Sequence, residues 1–184
     1  MKTLADYLLA ALTNSAEAGA TDVQIEIKET DEKKLIRFVI TDNGEGMEKA
    51  FVKTAAQPGI TTKEGENRGM GLYLIKTLSE ECSGMFQLSS HKGKSTRLEY
   101  TVKKDSKAIK PIGDIAGVVA EYIYSHPDIL VWFEYATDKK KFMFSLPSMR
   151  FIYSLPHMNT SADKQKLKKI FQKNLERIEY NSEL

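Results

Sequence analysis

The stretch LIRFVITDNGEG, Leu35 to Gly46, constrains this chain more than any other. Leu35 to Thr41 are strongly β-prone and almost wholly apolar, so they predict a buried strand. The strand runs without pause into Asp42-Asn43-Gly44-Glu45-Gly46. Asn-Gly alone explains a tight turn at that point. An Asp ending a buried strand, with Gly two and four residues later, has a second reading. It offers an inward carboxylate beside backbone that carries no side chains, which suits a flat ligand approaching closely.

The elements around this strand follow from hydrophobic spacing. Leu4, Leu8, Ala11 and Leu12 share one face of a helix expected over 4–18, with Gly19 just past its end. Val23, Ile25 and Ile27 alternate with Gln24, Glu26 and Lys28 as a half-buried strand, and TDEKK turns it into Leu35–Thr41. From Glu48 to Arg68 periodicity is weak, and so long a connection reads as a functional or mobile loop. A helix is expected over 71–81, then two strands around the HKGKS turn, then a linker at 105–110. Beyond it lie a helix over 114–125, a strand pair at 130–135 and 141–146, and a Lys-rich helix from about 161. The expected organisation is an α+β unit over 1–104 and a small α/β appendage over 111–184.

Composition narrows the classes of function. With 184 residues, 41% hydrophobic and 28% charged, the chain can bury an ordinary globular core. A net charge of +2 implies neither a nucleic-acid nor a membrane partner, and no apolar run approaches the length of a membrane span. A single cysteine, Cys82, rules out an internal disulfide framework and suits a reducing, cytoplasmic setting. His91, His126 and His157 have no metal-ligand spacing. In the last helix Leu167, Ile170, Phe171, Leu175 and Ile178 form an apolar stripe, so its lysines read as the solvated face.

Two further features bear on chemistry. Asp6, Ala10, Asn14 and Glu17 share the helix face away from Leu8 and Leu12. Asn is a poor helix former, so Asn14 is either a solvent-facing residue near the helix end or a residue kept for a ligand. NRGMGLYLIKTL places Gly69 and Gly71 at the opening of a helix, where exposed N–H groups suit a phosphate. It is neither a Walker A loop nor a dinucleotide-binding fingerprint.

Together these pieces resemble the GHKL ATP-binding superfamily, whose members include gyrase B, sensor histidine kinases and MutL. The shared elements are a helix carrying Asn, a strand ending in Asp-x-Gly-x-Gly, a lid, and Gly-x-Gly-Leu opening a helix. GKSTRLEYTV, with Thr96 opening the last strand, looks like that family's closing segment. The resemblance covers about residues 3 to 103. It implies the Bergerat fold, an α/β sandwich with a mixed sheet covered by helices on one face. It also implies ATP with Mg²⁺. Asn14 would be the metal ligand and Asp42 the adenine reader, supported by Thr96 directly or through water. Gly44 and Gly46 would give the base room and Met47 would pack on its face. Gly69, Met70, Gly71 and Leu72 would offer N–H groups to the phosphates. Lys63 and Arg68 are either γ-phosphate contacts or solvated lid charges.

One departure matters. Hydrolytic members of the family carry a Glu one turn before the Asn, as general base, and here that position is Ala10. Asp6 is about 12 Å from Asn14 along the helix axis, too far to serve the same water. Glu17 lies one turn beyond. The expectation is an ATP/ADP-dependent switch acting on a partner protein, without efficient hydrolysis. The alternative is a stand-alone protein kinase resembling the anti-sigma-factor kinases, or a slow ATPase. Residues 111–184 would dock that partner or cover the nucleotide.

Overall fold

The computed structural model describes residues 1–59, 70–152 and 160–179. Six strands form one mixed sheet in the order β3-β4-β2-β1-β5-β6. They are β1 Asp22–Thr30, β2 Leu35–Asp42, β3 Phe86–His91, β4 Ser95–Lys103, β5 Leu130–Ala136 and β6 Lys141–Ser145. β1 pairs in parallel with β5, and every other pairing is antiparallel. β2, the apolar run, lies inside the sheet between β1 and β4, with Ile36, Phe38, Ile40 and Asp42 buried on one face; on the other only Val39 is buried, and Leu35, Arg37 and Thr41 are half-exposed.

The inner face carries Val23, Ile25, Ile27, Phe38, Ile40, Tyr100 and Phe133, all buried. Phe38 and Tyr100 are cross-strand partners whose rings stack with centroids 4.8 Å apart. This face is covered by α1 Leu4–Glu17, α3 Gly71–Glu81, α4 Ile115–Ser125 and α6 Ser161–Glu179. In that layer α1 packs against α3 and α4, and α4 against α6. The predicted stripe of α6 is its buried side, with Phe171 fully buried among Phe133, Phe142 and Phe144. The outer face is polar. Arg37 Nε donates to Glu99 Oε1 at 2.6 Å, and Arg97 joins the same carboxylate at 2.8 Å.

α1 begins with a capping box: Thr3 N–H donates to the Asp6 carboxylate at 2.9 Å, and Asp6 N–H to the Thr3 hydroxyl at 3.3 Å. The next first-turn donors, Leu4 and Ala5 N–H, bond to the carbonyls of Pro111 and Ile112, each at 2.9 Å. The segment read as a linker is therefore packed down. Ala108, Ile109 and Ile112 lie against the core, and the chain after 111 extends the same sheet by β5 and β6. Two helices escaped the sequence reading, α2 Lys49–Val52 in the lid region and α5 Leu146–Ile152. At four and seven residues they are too short to show a period. Among the described residues no helix is long and apolar enough to cross a membrane.

Candidate functional site

The helix layer leaves a cavity of about 780 Å³ between α1, the end of β2, the 45–48 loop and the start of α3. Its lining includes Asn14, Asp42, Gly46, Met47, Met70, Gly71, Leu72 and Thr96, eight of the residues picked out from sequence. Gly44 stands behind them, beside Asp42. Lys63, Arg68 and Gly69 lie outside the described residues.

Asp42 ends β2 with its side chain on the inner face and is only 6% exposed. Both of its oxygens have a donor. Gly44 N–H reaches Oδ1 at 2.9 Å, and the Ser15 hydroxyl reaches Oδ2 at 2.9 Å. An ionised carboxylate has about four lone-pair sites, so two donors leave acceptor capacity toward the cavity. Ser15 was not singled out from sequence, yet the signal exists. It continues the Leu8, Ala11, Leu12 face of α1, and a hydroxyl at a core position requires a partner. Thr96 is the register partner of Asp42, but its hydroxyl bonds to Ser90 Oγ at 2.8 Å rather than to the carboxylate.

The loop after Asp42 is braced on both sides. Glu45 N–H bonds to Ala18 O at 2.9 Å, and Gly93 N–H to Glu45 O at 2.6 Å. Met47 N–H bonds to Ser90 Oγ at 2.8 Å. A Cβ at Gly44 would come within 2.8 Å of Ala18 O. One at Gly46, where φ is +61°, would come within 2.1 Å of His91 O. Both glycines are required by contacts of the chain with itself, whatever else approaches them.

The other end of the cavity is open-handed. The Asn14 carboxamide makes no hydrogen bond among the described residues. Facing it is the start of α3, where Met70 occupies the N-cap without a side-chain cap. A Cβ on Gly71 would sit 3.6 Å from Asn14 Nδ2 and 3.7 Å from the Ala10 methyl, so α1 and α3 meet here closely. The first N–H groups of α3 are suited to an anion. Asp6 also lines the cavity, but its carboxylate is taken by Lys2 and Thr3 N–H, which lower its pKa.

Among the described residues no group of three or more His, Cys, Asp or Glu side chains is placed to hold a metal. The Asn14 amide oxygen is a hard donor that could ligate a cation here, with further oxygens supplied by water and a bound anion. That donor set suits Mg²⁺, which keeps water and phosphate ligands and seldom takes an all-protein cage.

Residues 2–106 match the family model described as "Histidine kinase-, DNA gyrase B-, and HSP90-like ATPase". A probable C4-dicarboxylate sensor kinase of Bacillus subtilis is 32% identical over 74 residues, 40% of this chain and 14% of that protein. A tetrathionate sensor histidine kinase of Salmonella typhimurium is 35% identical over 75 residues, 41% of this chain and 12% of that protein. The chain thus spans a small part of these relatives' length. In fold it is similar to the N-terminal domain of a DNA repair protein, with a TM-score of 0.53 and 17% identity. That likeness covers 78% of this chain and 52% of the other.

Proposed function

The chain belongs to the family of histidine kinase-, DNA gyrase B- and HSP90-like ATPases, and on that premise we propose that it is a Mg-ATP-dependent switch on a partner protein, with little hydrolysis of its own. The observation that carries the second half is Ala10. It lines the cavity beside Gly71, at the helical position where a base would face the phosphate end, and a methyl group accepts no proton. Asp6, the acid nearest to it toward the N-terminus, is held in the helix cap.

On this reading Asp42 accepts a hydrogen bond from the exocyclic amine of adenine. Guanine would turn a carbonyl toward the carboxylate, setting two acceptors against each other at a buried position and costing about 1–3 kcal/mol or more. Met47 lines the wall beside the base. The N–H groups of Met70, Gly71 and Leu72 hold the phosphates by hydrogen bonds and the helix dipole. The Asn14 amide oxygen holds the magnesium ion, which supplies the positive charge that offsets the phosphates. Binding would join α1, α3 and the loop after Asp42 around one ligand, giving a partner a surface that differs between bound and free states.

A second reading, phosphoryl transfer to a protein, is favoured by the relatives named as sensor kinases. In it the acceptor brings its own nucleophile, and the missing base at Ala10 is no obstacle.

The test is calorimetric titration with ADP and a non-hydrolysable ATP analogue, with and without Mg²⁺, followed by turnover with ATP. Binding strengthened by Mg²⁺ with negligible phosphate release is expected; rapid turnover by the unmodified chain would sink the switch reading. Ala10→Glu should then raise ATP hydrolysis by about 100-fold, the lower end of what a placed general base supplies. Transfer of labelled γ-phosphate to a co-purifying protein would establish the kinase reading instead.

A further inference from the structure

Three cross-strand rows of the inner face run side by side from β3 through β4 to β2. Phe86, Tyr100 and Phe38 make one, Leu88, Leu98 and Ile40 the next, and Ser90, Thr96 and Asp42 the last. The first two belong to the apolar core. The third is polar, at the end of the sheet where the cavity lies. Thr96 and Asp42 line that cavity, and Ser90, half-buried, stands behind Thr96 without lining it.

Ser90 has three polar neighbours. Its Oγ lies 2.8 Å from Met47 N, 3.0 Å from Ser95 O and 2.8 Å from Thr96 Oγ1. A serine hydroxyl has one proton and two lone pairs. Met47 N–H can only donate, so it takes one lone pair. Ser95 O can only accept, so it takes the proton. What remains for Thr96 is the second lone pair, into which Thr96 must donate. No other assignment meets all three contacts at once. The Thr96 proton is then spent on Ser90, and what Thr96 Oγ1 has left for the cavity is acceptor capacity alone. The Ser15 proton is likewise spent, on Asp42 Oδ2, and the Gly44 N–H on Oδ1.

We propose that Ser90 is a positioning residue for base selectivity: by taking up the Thr96 proton it leaves Thr96 and Asp42, register partners on one face, as two adjacent acceptors toward a ligand. Such a wall matches a group that carries two N–H donors, an exocyclic amine, and opposes a carbonyl. The consequence for a nucleotide rests on the reading above. Adenine brings the amine and guanine a carbonyl at the same place, so Ser90 adds to the discrimination made by Asp42 without touching either base. Without the Ser90 hydroxyl, the Thr96 proton is free to turn to the cavity and welcome the carbonyl.

The test compares the full chain with Ser90→Ala and Ser90→Thr. In a mixture of light and heavy water, a slowly exchanging hydroxyl splits the resonance of the carbon that bears it. Thr96 Cβ should show this splitting without ligand in the unmodified chain, lose it in Ser90→Ala and regain it in Ser90→Thr. By calorimetry, the ratio of ADP to GDP affinity should be about ten-fold lower in Ser90→Ala, the worth of one hydrogen bond, and restored in Ser90→Thr. A merely structural role would weaken both nucleotides alike and leave the ratio unchanged. That result, or an unsplit Thr96 resonance in the unmodified chain, overturns the inference. Splitting that behaves as expected while neither the unmodified chain nor a variant binds ADP or GDP upholds the hydroxyl arrangement and removes the nucleotide reading.

Discussion

The two ends of the cavity are built on opposite plans. At the Asp42 end the chain satisfies itself: both carboxylate oxygens have donors, and the following loop is tied to Ala18, Ser90 and Gly93. At the Asn14 end the carboxamide is unpartnered among the described residues, and α3 opens without a side-chain cap. The contrast matches a ligand with one flat, recognised part and one charged part. Recognition is best done by an acceptor already held in place, because nothing must be reorganised on binding. Charge compensation can wait for the ligand, since groups at a cavity open to water are hydrated meanwhile.

Paired glycine substitutions give this comparison its hardest test. Gly46→Ala should cost about 3 kcal/mol of stability or abolish folding, because it combines a positive φ with a methyl 2.1 Å from His91 O. Gly71→Ala should leave stability unchanged or raise it by about 0.5–1 kcal/mol, since its Cβ meets only ordinary contacts and alanine favours helix. Thermal melts of the two variants read the difference directly. Coincident melting temperatures would mean that the Asp42 end is no more braced than the other.

Ligand titrations sharpen the same contrast at smaller amplitude. Asp42→Asn turns one acceptor oxygen into a donor, so the ratio of ATP to GTP affinity should fall by about 100-fold, or 2.7 kcal/mol. An unchanged ratio would remove Asp42 as the reader of the base. Asn14→Ala should weaken nucleotide binding about ten-fold with Mg²⁺ present and leave it unaltered in EDTA. Equal loss in both buffers would mean that Asn14 contacts the nucleotide itself.

The Asp42 end was also the more legible in sequence. A strand of alternating and then continuous apolar residues announces its own burial, and Asp42 inherits that burial by sitting at its end. α1, α3 and the strands β1 to β6 follow from local period in the same way. Pairing does not. That Ile25 lies beside Phe133 in a parallel register, joining the chain after 111 to the same sheet, depends on contacts more than a hundred residues apart. No local period records such a contact. The linker reading failed for a related reason: Ala108, Ile109 and Ile112 are too few to show a pattern, yet each finds the core, and the carbonyls of Pro111 and Ile112 complete the start of α1. Glycine carried a mixed message, since the loop that leaves room near a ligand is also the loop that must pass close to Ala18 and His91.

Ser15 is where the two ends touch, and its removal is the finest test of the comparison. It follows Asn14 in α1 and also borders the cavity, but its hydroxyl is engaged, donating to Asp42 Oδ2, while the Asn14 carboxamide is left for a ligand. Ser15→Ala deprives the carboxylate of one donor, and a buried acceptor left short costs about 1–3 kcal/mol. Asp42 borders the cavity, so water can reach part of that loss, and about 1 kcal/mol is the expected drop in denaturation free energy. Nucleotide affinity should fall by a similar factor, about five-fold, because the carboxylate is less well directed. If stability drops while affinity is untouched, the Ser15 contact is a staple between helix and sheet, and the pre-organisation of the Asp42 end rests on Gly44 N–H and the loop braces. If both fall together, helix α1 sets the geometry at both ends of the cavity, through two adjacent residues that both border it.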